Sequence, residues 1–280
     1  MNTHSHPLFT QYPLNGEATI SVGRVPTPYH TYDGHGIFIG GTADLAQVTA
    51  LLQNENVQPM QTVTGKAIMG IWVVDFTEAS LGAHNELQFS LLISHQPTDP
   101  IEDHPLTLLK ALFMNPSARM FCWKLWNDSE TPVAYNRELL SLNAHLTQGT
   151  IQRQNGQKQF HFADEAGEPI FEGKVREATQ ASPKVGWSFL RLLGLRQTLR
   201  AFRQPYLEAK VVNPISEILP HNADAQSFLA SDPPIVQFFD PTTDTITIHH
   251  PKAANLNFQP HFIEHFAPFR FVYLQPEKTQ

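Results

Sequence analysis

The sequence is short of cysteine and of long apolar runs, and each shortage excludes a class of protein. Cys122 is the only cysteine among 280 residues, so an intrachain disulfide is impossible and no oxidising compartment is required. Because it lies between aromatic residues, a buried structural thiol is the favoured interpretation. No run of about 18 apolar residues occurs, which excludes a membrane-spanning helix. The first residues lack the basic and apolar regions of a secretory signal, so we expect a cytoplasmic location.

Charge is scarce as well, and positive charge most of all. The formal net charge is −7, which argues against nucleic acid as a partner because binding a phosphate backbone needs clustered cations. Charged residues make up only 16%, against about a quarter in ordinary globular domains. The surface must therefore depend on Gln, Asn, Thr and His, or be covered by other subunits. Hydrophobic residues at 41% are enough for a folded core.

Several signatures of cofactor and nucleophile sites are absent too. Neither a GxGxxG nor a GxxxxGK[ST] phosphate loop occurs, and there is no Gly-x-Ser-x-Gly elbow of serine hydrolases. Fourteen histidines invite a metal hypothesis, and His261 and His265 have the i, i+4 spacing of one helical face. No HExxH motif or cysteine partner accompanies them, so a surface or capping role is favoured. We therefore expect no metal and no other cofactor.

What the sequence has in abundance is segments with the character of β-strands, rich in β-branched and aromatic residues and separated by turn residues. Asn155-Gly156, between two alternating segments, predicts a hairpin. The pattern predicts a single α+β domain over 1–280, mainly antiparallel β, of barrel or sandwich type with a few short helices. Helices are predicted at 42–53, 105–114 and 136–142, and strands at 36–42, 66–76, 85–94, 119–126, 144–154, 158–164 and 169–178, with three more in IVQFFD, TITIHH and FRFVYLQP.

Two segments stand outside this pattern. Residues 1–25 are predicted to form an irregular arm, because Pro7 and Pro13 interrupt regular structure there. Residues 182–206 form a basic amphipathic insertion without acidic residues. We favour an ordinary insertion packed on the sheet or in an oligomer interface, and keep peripheral membrane contact through 186–203 as the alternative. The cations of this insertion are Lys184, Arg191, Arg196, Arg200 and Arg203.

Three short motifs resemble the acetoacetate decarboxylase family in order and spacing. They are PTPYHTYDGHGIFIGGTAD, EASLGAHNELQFSLLI and WNDSETPVAYNRELLSL, which together span roughly residues 26–180. The resemblance implies a cone-shaped antiparallel β-barrel wrapped by further strands and helices, and it implies a homo-oligomer. It also implies a pocket for a small carbonyl compound.

The resemblance also shows what this chain lacks. Family members use a lysine amine to form an iminium with a ketone, and a neighbouring lysine keeps that amine neutral. Alignment on NRELLSLNAHL places Ala144 at the nucleophilic lysine and His145 at its neighbour. Neither side chain has a primary amine, and no lysine occurs between Lys124 and Lys158. Schiff-base decarboxylation is therefore not expected.

The residues that remain define a different candidate site. Glu86 matches the glutamate that the family retains, and an apolar pocket would raise its pKa and suit it to act as acid or base. His145 is its candidate catalytic partner, with His84 two residues away on the same strand face as Glu86. A structural Glu86 bonded to backbone or to another side chain remains the alternative. The substrate-binding candidates are Tyr29, His84, Lys124 and Arg137.

Three functions stay open at this point. The first is a lysine-independent enzyme, of the isomerase, dehydratase or cyclase type, that acts on a small or lipophilic keto compound, as in secondary metabolism. The second is a non-catalytic protein that binds an apolar ligand. The third is a decarboxylase, a lyase, that uses a relocated lysine, for which Lys124 and Lys66 are the candidates.

Overall fold

The computed structural model describes residues 5–178, 183–188, 190, 191, 194, 207–231 and 235–276. Over these residues the protein is mainly antiparallel β-sheet with a few short helices, as predicted. The described part of residues 182–206 includes a helical stretch at 183–188, on which Trp187 is exposed. Of the cations of the predicted basic insertion, Lys184 and Arg191 are exposed, and Arg196, Arg200 and Arg203 lie outside the described residues. Among the described helices, none has the length and apolar character needed to cross a membrane. The named helices are α1 (Pro7–Gln11), α2 (Leu45–Leu51), α3 (Thr107–Met114), α4 (Glu130–Glu138) and α5 (Pro251–Ala254).

Seventeen strands are found within the described residues, and the longest coincide with predicted ones. The Asn155-Gly156 hairpin is confirmed: both residues have positive φ, at 54° and 70°, and they join β9 to β10. The strands are β1 (Gly16–Ile20), β2 (Gly23–Thr27), β3 (Tyr29–Asp44), β4 (Gln58–Pro59), β5 (Lys66–Ala79), β6 (His84–Ser94), β7 (Arg119–Asn127), β8 (Ala144–Leu146), β9 (Gln148–Gln154), β10 (Gln157–Ala163), β11 (Pro169–Arg176), β12 (Leu207–Val212), β13 (Asp224–Ser231), β14 (Ile235–Phe238), β15 (Thr245–Ile248), β16 (Gln259–Phe266) and β17 (Phe269–Tyr273).

The prediction of an irregular arm over 1–25 is wrong for the residues described there. Pro7 opens α1 at the position where its missing N–H costs nothing, and His6 Nδ1 accepts a bond from the Leu8 amide. β1 and β2 then form an antiparallel hairpin. The hairpin is attached to α4, because the amide of Ser21 donates to the Glu138 carboxylate at 3.0 Å. The prolines therefore punctuate local structure rather than prevent it.

Two helix predictions are displaced, and the helical spacing noted for two histidines does not correspond to a helix. The helix predicted at 136–142 begins earlier, at Glu130, and ends at Glu138. The helix predicted from residue 42 begins at Leu45, since the Asp44 carboxylate caps it by accepting from the Gln47 amide. His261 and His265 lie on strand β16 instead of one helical face.

Seven strands form a closed ring of pairings, in the order β3, β5, β6, β7, β12, β13, β17 and back to β3. All of these pairs are antiparallel except β7 with β12. β7 and β12 meet over only two residue pairs, Val211 with Met120 and Val212 with Phe121. The predicted conical shape stays a prediction. β8 pairs with β7, and β16 and β14 extend the sheet from β3.

A second sheet, formed by β9, β10, β11 and β15 and called the small sheet here, packs on the outside of the ring. It contributes Phe160, Phe162 and Phe171 to an apolar core shared with the ring. The ring side of this core consists of every second residue of β3, β5 and β6, such as Ile71 and Leu87, which are completely buried. Because side chains alternate along a strand, the intervening residues point into the ring.

Candidate functional site

The ring interior is the candidate site, and strand β6 places two polar side chains in it. Glu86 stands opposite Val74 of β5 and Asn127 of β7. Gln88, two residues along β6, points the same way. Glu86 and Gln88 keep accessible surface although the outer face of β6 is sealed by the core with the small sheet. Their accessibility therefore indicates unfilled space inside the ring.

Glu86 is held in place by an amide relay from α4. Asn127 Nδ2 donates to Glu86 Oε2 at 3.0 Å, and Asn136 Nδ2 of α4 donates to Asn127 Oδ1 at 3.1 Å. The second bond fixes which end of the Asn127 amide faces the carboxylate. Burial raises the pKa of Glu86 to about 7, although the bond from Asn127 opposes the shift. Near neutral pH the carboxyl is thus divided between its acid and base forms.

Three further side chains with an O–H or S–H group surround Glu86. Burial, followed by the charge of Glu86, raises the pKa of Tyr29 and of Cys122 well above their usual values. Burial also raises the pKa of Tyr273, with the charges of Cys122 and Glu86 adding to the shift. All three groups are therefore protonated near neutral pH. Cys122 is completely buried, as predicted. Tyr273 Oη is buried and has no hydrogen-bond partner among the described residues.

His84 belongs to the same interior group but is already committed to protein partners. Its Nδ1 donates to the Gly82 carbonyl at 2.8 Å, which leaves Nε2 as an acceptor for Tyr29 Oη at 3.3 Å. Thr31 Oγ1 donates in turn to Tyr29 Oη at 3.2 Å. Burial lowers the pKa of His84, so the ring is neutral. The structure therefore brings Glu86, His84 and Tyr29 together, with His84 orienting the tyrosine.

Ala144 also faces the interior. β8 runs parallel to β7, and Ala144 stands beside Leu125, which in turn stands opposite Gln88. Ala144 is completely buried. The resemblance aligns Ala144 with the nucleophilic lysine. Its side chain points into the ring but is only a methyl group, so it supplies no amine.

His145 and Lys124 lie on the other face of the same strands, outside the ring. Since neighbouring residues of a strand point in opposite directions, the inward Ala144 forces His145 outward, beside Trp126. Lys124 Nζ is 3.0 Å from His145 Nε2. Burial lowers the pKa of His145 to about 4, and the Lys124 and Arg137 charges add to the shift. The predicted pairing of His145 with Glu86 across one pocket is therefore wrong.

Arg137, another predicted substrate-binding residue, has a structural contact instead. Its Nε donates to the Ala144 carbonyl at 2.5 Å, which ties the end of α4 to β8, and its side chain is exposed. It is not a partner of Glu86, whose described hydrogen bond comes from Asn127. Lys66, the other candidate for a relocated lysine, is exposed at the start of β5.

The sequence interpretation missed a second interior carboxyl, Glu264. It stands opposite Phe38 on β3 and is only 8% exposed. Burial alone raises its pKa to about 8. An acidic residue within the aromatic run FIEHF is a signal that the sequence does contain.

The sequence interpretation also missed a buried amine, Lys158, between the ring and the small sheet. Lys158 is 1% exposed and makes no hydrogen bond or ion pair among the described residues. Burial lowers its pKa to about 8, and the charge of Arg153 opposite it on β9 adds to the shift. Below it, His35 Nε2 contacts Asp75 Oδ2 at 3.3 Å. Together with His265, these residues are called the outer cluster.

A metal centre finds no support in the described part of the chain. No three His, Cys, Asp or Glu side chains converge there in a way that would hold a metal ion. His261 is instead 3.3 Å from Thr42 Oγ1, and neither ring nitrogen of His265 has a hydrogen-bond partner within that part.

The protein is similar in fold to several known structures. It is similar to an acetoacetate decarboxylase from Legionella pneumophila subsp. pneumophila str. Philadelphia 1, with a TM-score of 0.59 and 10% identity over 94% of this chain and 90% of that one. A second acetoacetate decarboxylase structure gives a TM-score of 0.51 and 10% identity over 90% and 91% of the two chains. The enduracididine biosynthesis enzyme MppR complexed with pyruvate gives 0.54 and 10% over 90% of each chain.

These similarities establish the fold. The protein has the acetoacetate decarboxylase-like fold over nearly its whole length, which confirms the resemblance and the fold class predicted from the three motifs. No protein-family model and no curated protein sequence matches the chain.

Proposed function

We propose that the protein is a lysine-independent enzyme that moves a proton on the carbon next to a ketone, with Glu86 as acid and base. The observation that carries the proposal is the position of Glu86 in the ring interior, with one oxygen bonded to Asn127 and a pKa near 7 caused by burial. A group that titrates near the working pH is the most effective proton carrier. Isomerisation, dehydration and cyclisation of a keto compound all begin with this step.

The step needs no oxidant, metal or amine. The Glu86 carboxylate takes a proton from the α-carbon, and the electron pair of that C–H bond moves into the carbonyl to form an enolate. Tyr273 Oη, which lacks a partner among the described residues, is the candidate donor to the enolate oxygen. Glu86 then returns the proton to carbon and becomes a carboxylate again.

Two observations favour a small carbonyl compound as the ligand. The interior contains accessible Gln88 and Trp72 beside Glu86, which suits a ligand with one polar group and an apolar body. The neighbour MppR holds pyruvate, which contains a ketone, in the same fold. That neighbour is a biosynthesis enzyme, which supports a role in secondary metabolism for this chain as well.

The proposal is tested by hydrogen exchange without knowledge of the natural substrate. Cyclohexanone and 2-butanone are incubated with the protein in D2O, and loss of the α-proton signal is followed by proton NMR. We expect Glu86→Gln to slow the protein-dependent exchange by about 10²–10⁴-fold, since the amide cannot accept the proton. The wild-type rate should rise with pH through about 7 and then level off, following the ionised fraction of Glu86.

The matched control is His145→Ala, which removes a titratable side chain from the outside of the ring and should leave exchange unchanged within about twofold. Equal exchange by wild type and Glu86→Gln would contradict the proposal and favour the non-catalytic binding protein. Borohydride reduction in the presence of either ketone distinguishes the lysine-independent enzyme from a decarboxylase that uses a relocated lysine. A mass adduct on any lysine would support the decarboxylase.

A further inference from the structure

A group of basic side chains lies on the outside of the ring, beside the residue that caps α5. Lys124 Nζ of β7 contacts His145 Nε2 of β8 at 3.0 Å. The cap of α5 is His250, whose ring contacts the same Trp126 ring as His145 does, at centroid distances of 5.5 Å and 6.2 Å. This group is called the basic cluster here, and its members are Lys124, Arg137, His145, His250 and Lys252.

No acid neutralises the basic cluster in the described part of the chain, where none of its five members forms an ion pair with a carboxylate. Burial lowers the pKa of Lys124, and the charges of Lys252 and Arg137 lower it further. Burial also lowers the pKa of His250, with the charges of Lys124 and Lys252 adding to the shift. The members therefore repel one another, in a chain whose formal net charge is −7.

Two contacts compete for one ring nitrogen of His145. Asn143 Nδ2 donates to the Trp123 carbonyl at 3.4 Å, which turns Asn143 Oδ1 towards His145 Nε2 at 2.8 Å. The oxygen requires a proton on Nε2, whereas the ammonium form of Lys124 requires Nε2 to be unprotonated. An anion that accepts from Lys124 would let Nε2 keep its proton for Asn143.

The basic cluster is open to solvent. Arg137 and Lys252 are exposed, and the other three members are half-buried. The Trp123 and Trp126 rings, which are 8% and 4% exposed, lie against His250 at centroid distances of 5.9 Å and 5.5 Å. A ligand can therefore reach the charged groups without displacing the core beneath them.

From this cluster of cations without an acid, we propose that the outside of the ring binds the phosphoryl group of a small molecule at Lys124, His250 and Lys252. A phosphoryl group carries nearly two negative charges and three acceptor oxygens, so it can accept from several of these donors at once. A carboxylate carries one charge and would leave more of the cluster unneutralised. Free phosphate and phosphate esters share this chemistry. The site is separate from the interior and does not depend on the reaction proposed for Glu86.

Binding should change the protonation of the two imidazoles. Burial lowers the pKa of His145 to about 4, and the charges of Lys124, Arg137 and His250 add to the shift. A bound dianion supplies the opposite charge, so the pKa of His145 and that of His250 should both rise. A purely structural role of these side chains would not make either pKa depend on phosphate.

The test is an NMR titration of the His145 and His250 rings with inorganic phosphate at constant ionic strength and pH 7.5. We expect the ring signals to shift saturably with phosphate and with glycerol 3-phosphate, and the tighter of the two ligands identifies the source. Acetate at the same ionic strength should bind at least about tenfold more weakly, because it brings one charge instead of two. A pH series with and without phosphate measures the two pKa values.

Lys252→Gln is the decisive variant, because Lys252 is exposed and its replacement leaves the core intact. It should lower phosphate affinity by about two- to fivefold. Lys124→Gln, checked for folding by circular dichroism, should lower it by at least about tenfold. The matched control is Lys66→Gln, at an exposed lysine at the start of β5, which should bind phosphate like wild type.

Three results would overturn the proposal even if Lys124→Gln did not fold. They are equal responses to phosphate and acetate, a response that does not saturate, and unchanged phosphate affinity in Lys252→Gln. These failures are separate from that of the proposed function, which is judged by ketone exchange in the Glu86 variant.

Discussion

The inner and outer faces of the same strands treat buried ionisable groups in opposite ways. On the inner face, Glu86 inside the ring and Glu264 on the adjoining strand β16 are carboxyls whose pKa values burial raises to about 7 and about 8. Outside, burial lowers the pKa of Lys158 to about 8 and that of His265 to about 4. Burial disfavours the charged form in every case, so the inner groups gain protons and the outer groups lose them.

The difference between the faces lies in what surrounds the neutral groups. Glu86 keeps accessible surface inside the ring, so a ligand can reach it, whereas Glu264 is only 8% exposed. In the outer cluster Lys158 is 1% exposed, while His35 and Asp75 keep 22% and 28% of their side-chain surface. A perturbed pKa is therefore not enough to mark a functional site, and the accessible space inside the ring singles out Glu86.

The two faces should also control opposite limbs of the pH–stability curve. For the inner carboxyls the folded pKa lies above the unfolded one, so their contribution is complete at low pH and is lost as pH rises towards 7 and 8. Burial lowers the pKa of the outer His35 and His265 to about 4, so their contribution is present above about 6.5 and is lost as pH falls towards 4.

The largest stability effect is expected from Glu264→Leu. The wild type loses stability between pH 4.5 and 8 because the buried carboxyl must ionise, and leucine removes that loss. At about 1.4 kcal/mol per pKa unit, the free energy of unfolding of the variant relative to wild type should rise by roughly 4 kcal/mol over this range. Urea unfolding across a pH series measures the change. Glu208→Leu, at an exposed strand position, should show no such slope; an equal slope there would remove the distinction between the faces.

A smaller effect of opposite slope is expected from Lys158→Met. The folded pKa lies below the unfolded one, so the wild type gains stability as pH rises from 8 towards 10.5. The variant lacks this gain, so its free energy of unfolding relative to that of the wild type should fall by roughly 3 kcal/mol across that range. Urea unfolding is again the measurement, with the exposed Lys174→Met of the small sheet as control. A pH-independent difference would show that the Lys158 amine is solvated in the native protein.

The smallest effect is expected from Arg137→Ala. Loss of the bond to the Ala144 carbonyl should lower the free energy of unfolding by about 1 kcal/mol, since the arginine is exposed. Removal of the charge should also raise the pKa of His145, which NMR titration measures. Arg137→Lys keeps the charge but loses Nε, so it should retain most of the pKa effect. Ketone exchange should not change; a large loss would place Arg137 in the active site after all.

The sequence predicted the parts of the site that depend on one strand alone. Alternation along LGAHNELQF correctly put His84 and Glu86 on one face, and the Pro-Tyr pair led to Tyr29. The same rule, applied to Ala144 and His145, already implies that only one of them can face Glu86. The failed pairing thus came from two neighbouring residues being assigned to one pocket.

The remaining features depend on contacts between distant strands. In a regular strand, Lys124 and Cys122 would face the same side. A register shift between Phe89 and Ser90 of β6 breaks this alternation, so Lys124 faces outward. Glu264 faces inward because β16 pairs with β3, which no local pattern in FIEHF reveals. Lys158 is buried only because the small sheet packs against the ring. Local periodicity cannot specify which sheet face becomes an interior.

Closure of the ring also sets when the site can exist. The last pairing joins Tyr29 near the beginning of the described chain to Tyr273 of β17. During synthesis, β3, β5, β6 and β7 emerge long before β17, and until it arrives the inner face with Glu86 is open to water. The ring around Glu86 can therefore close only after residue 273 has been made.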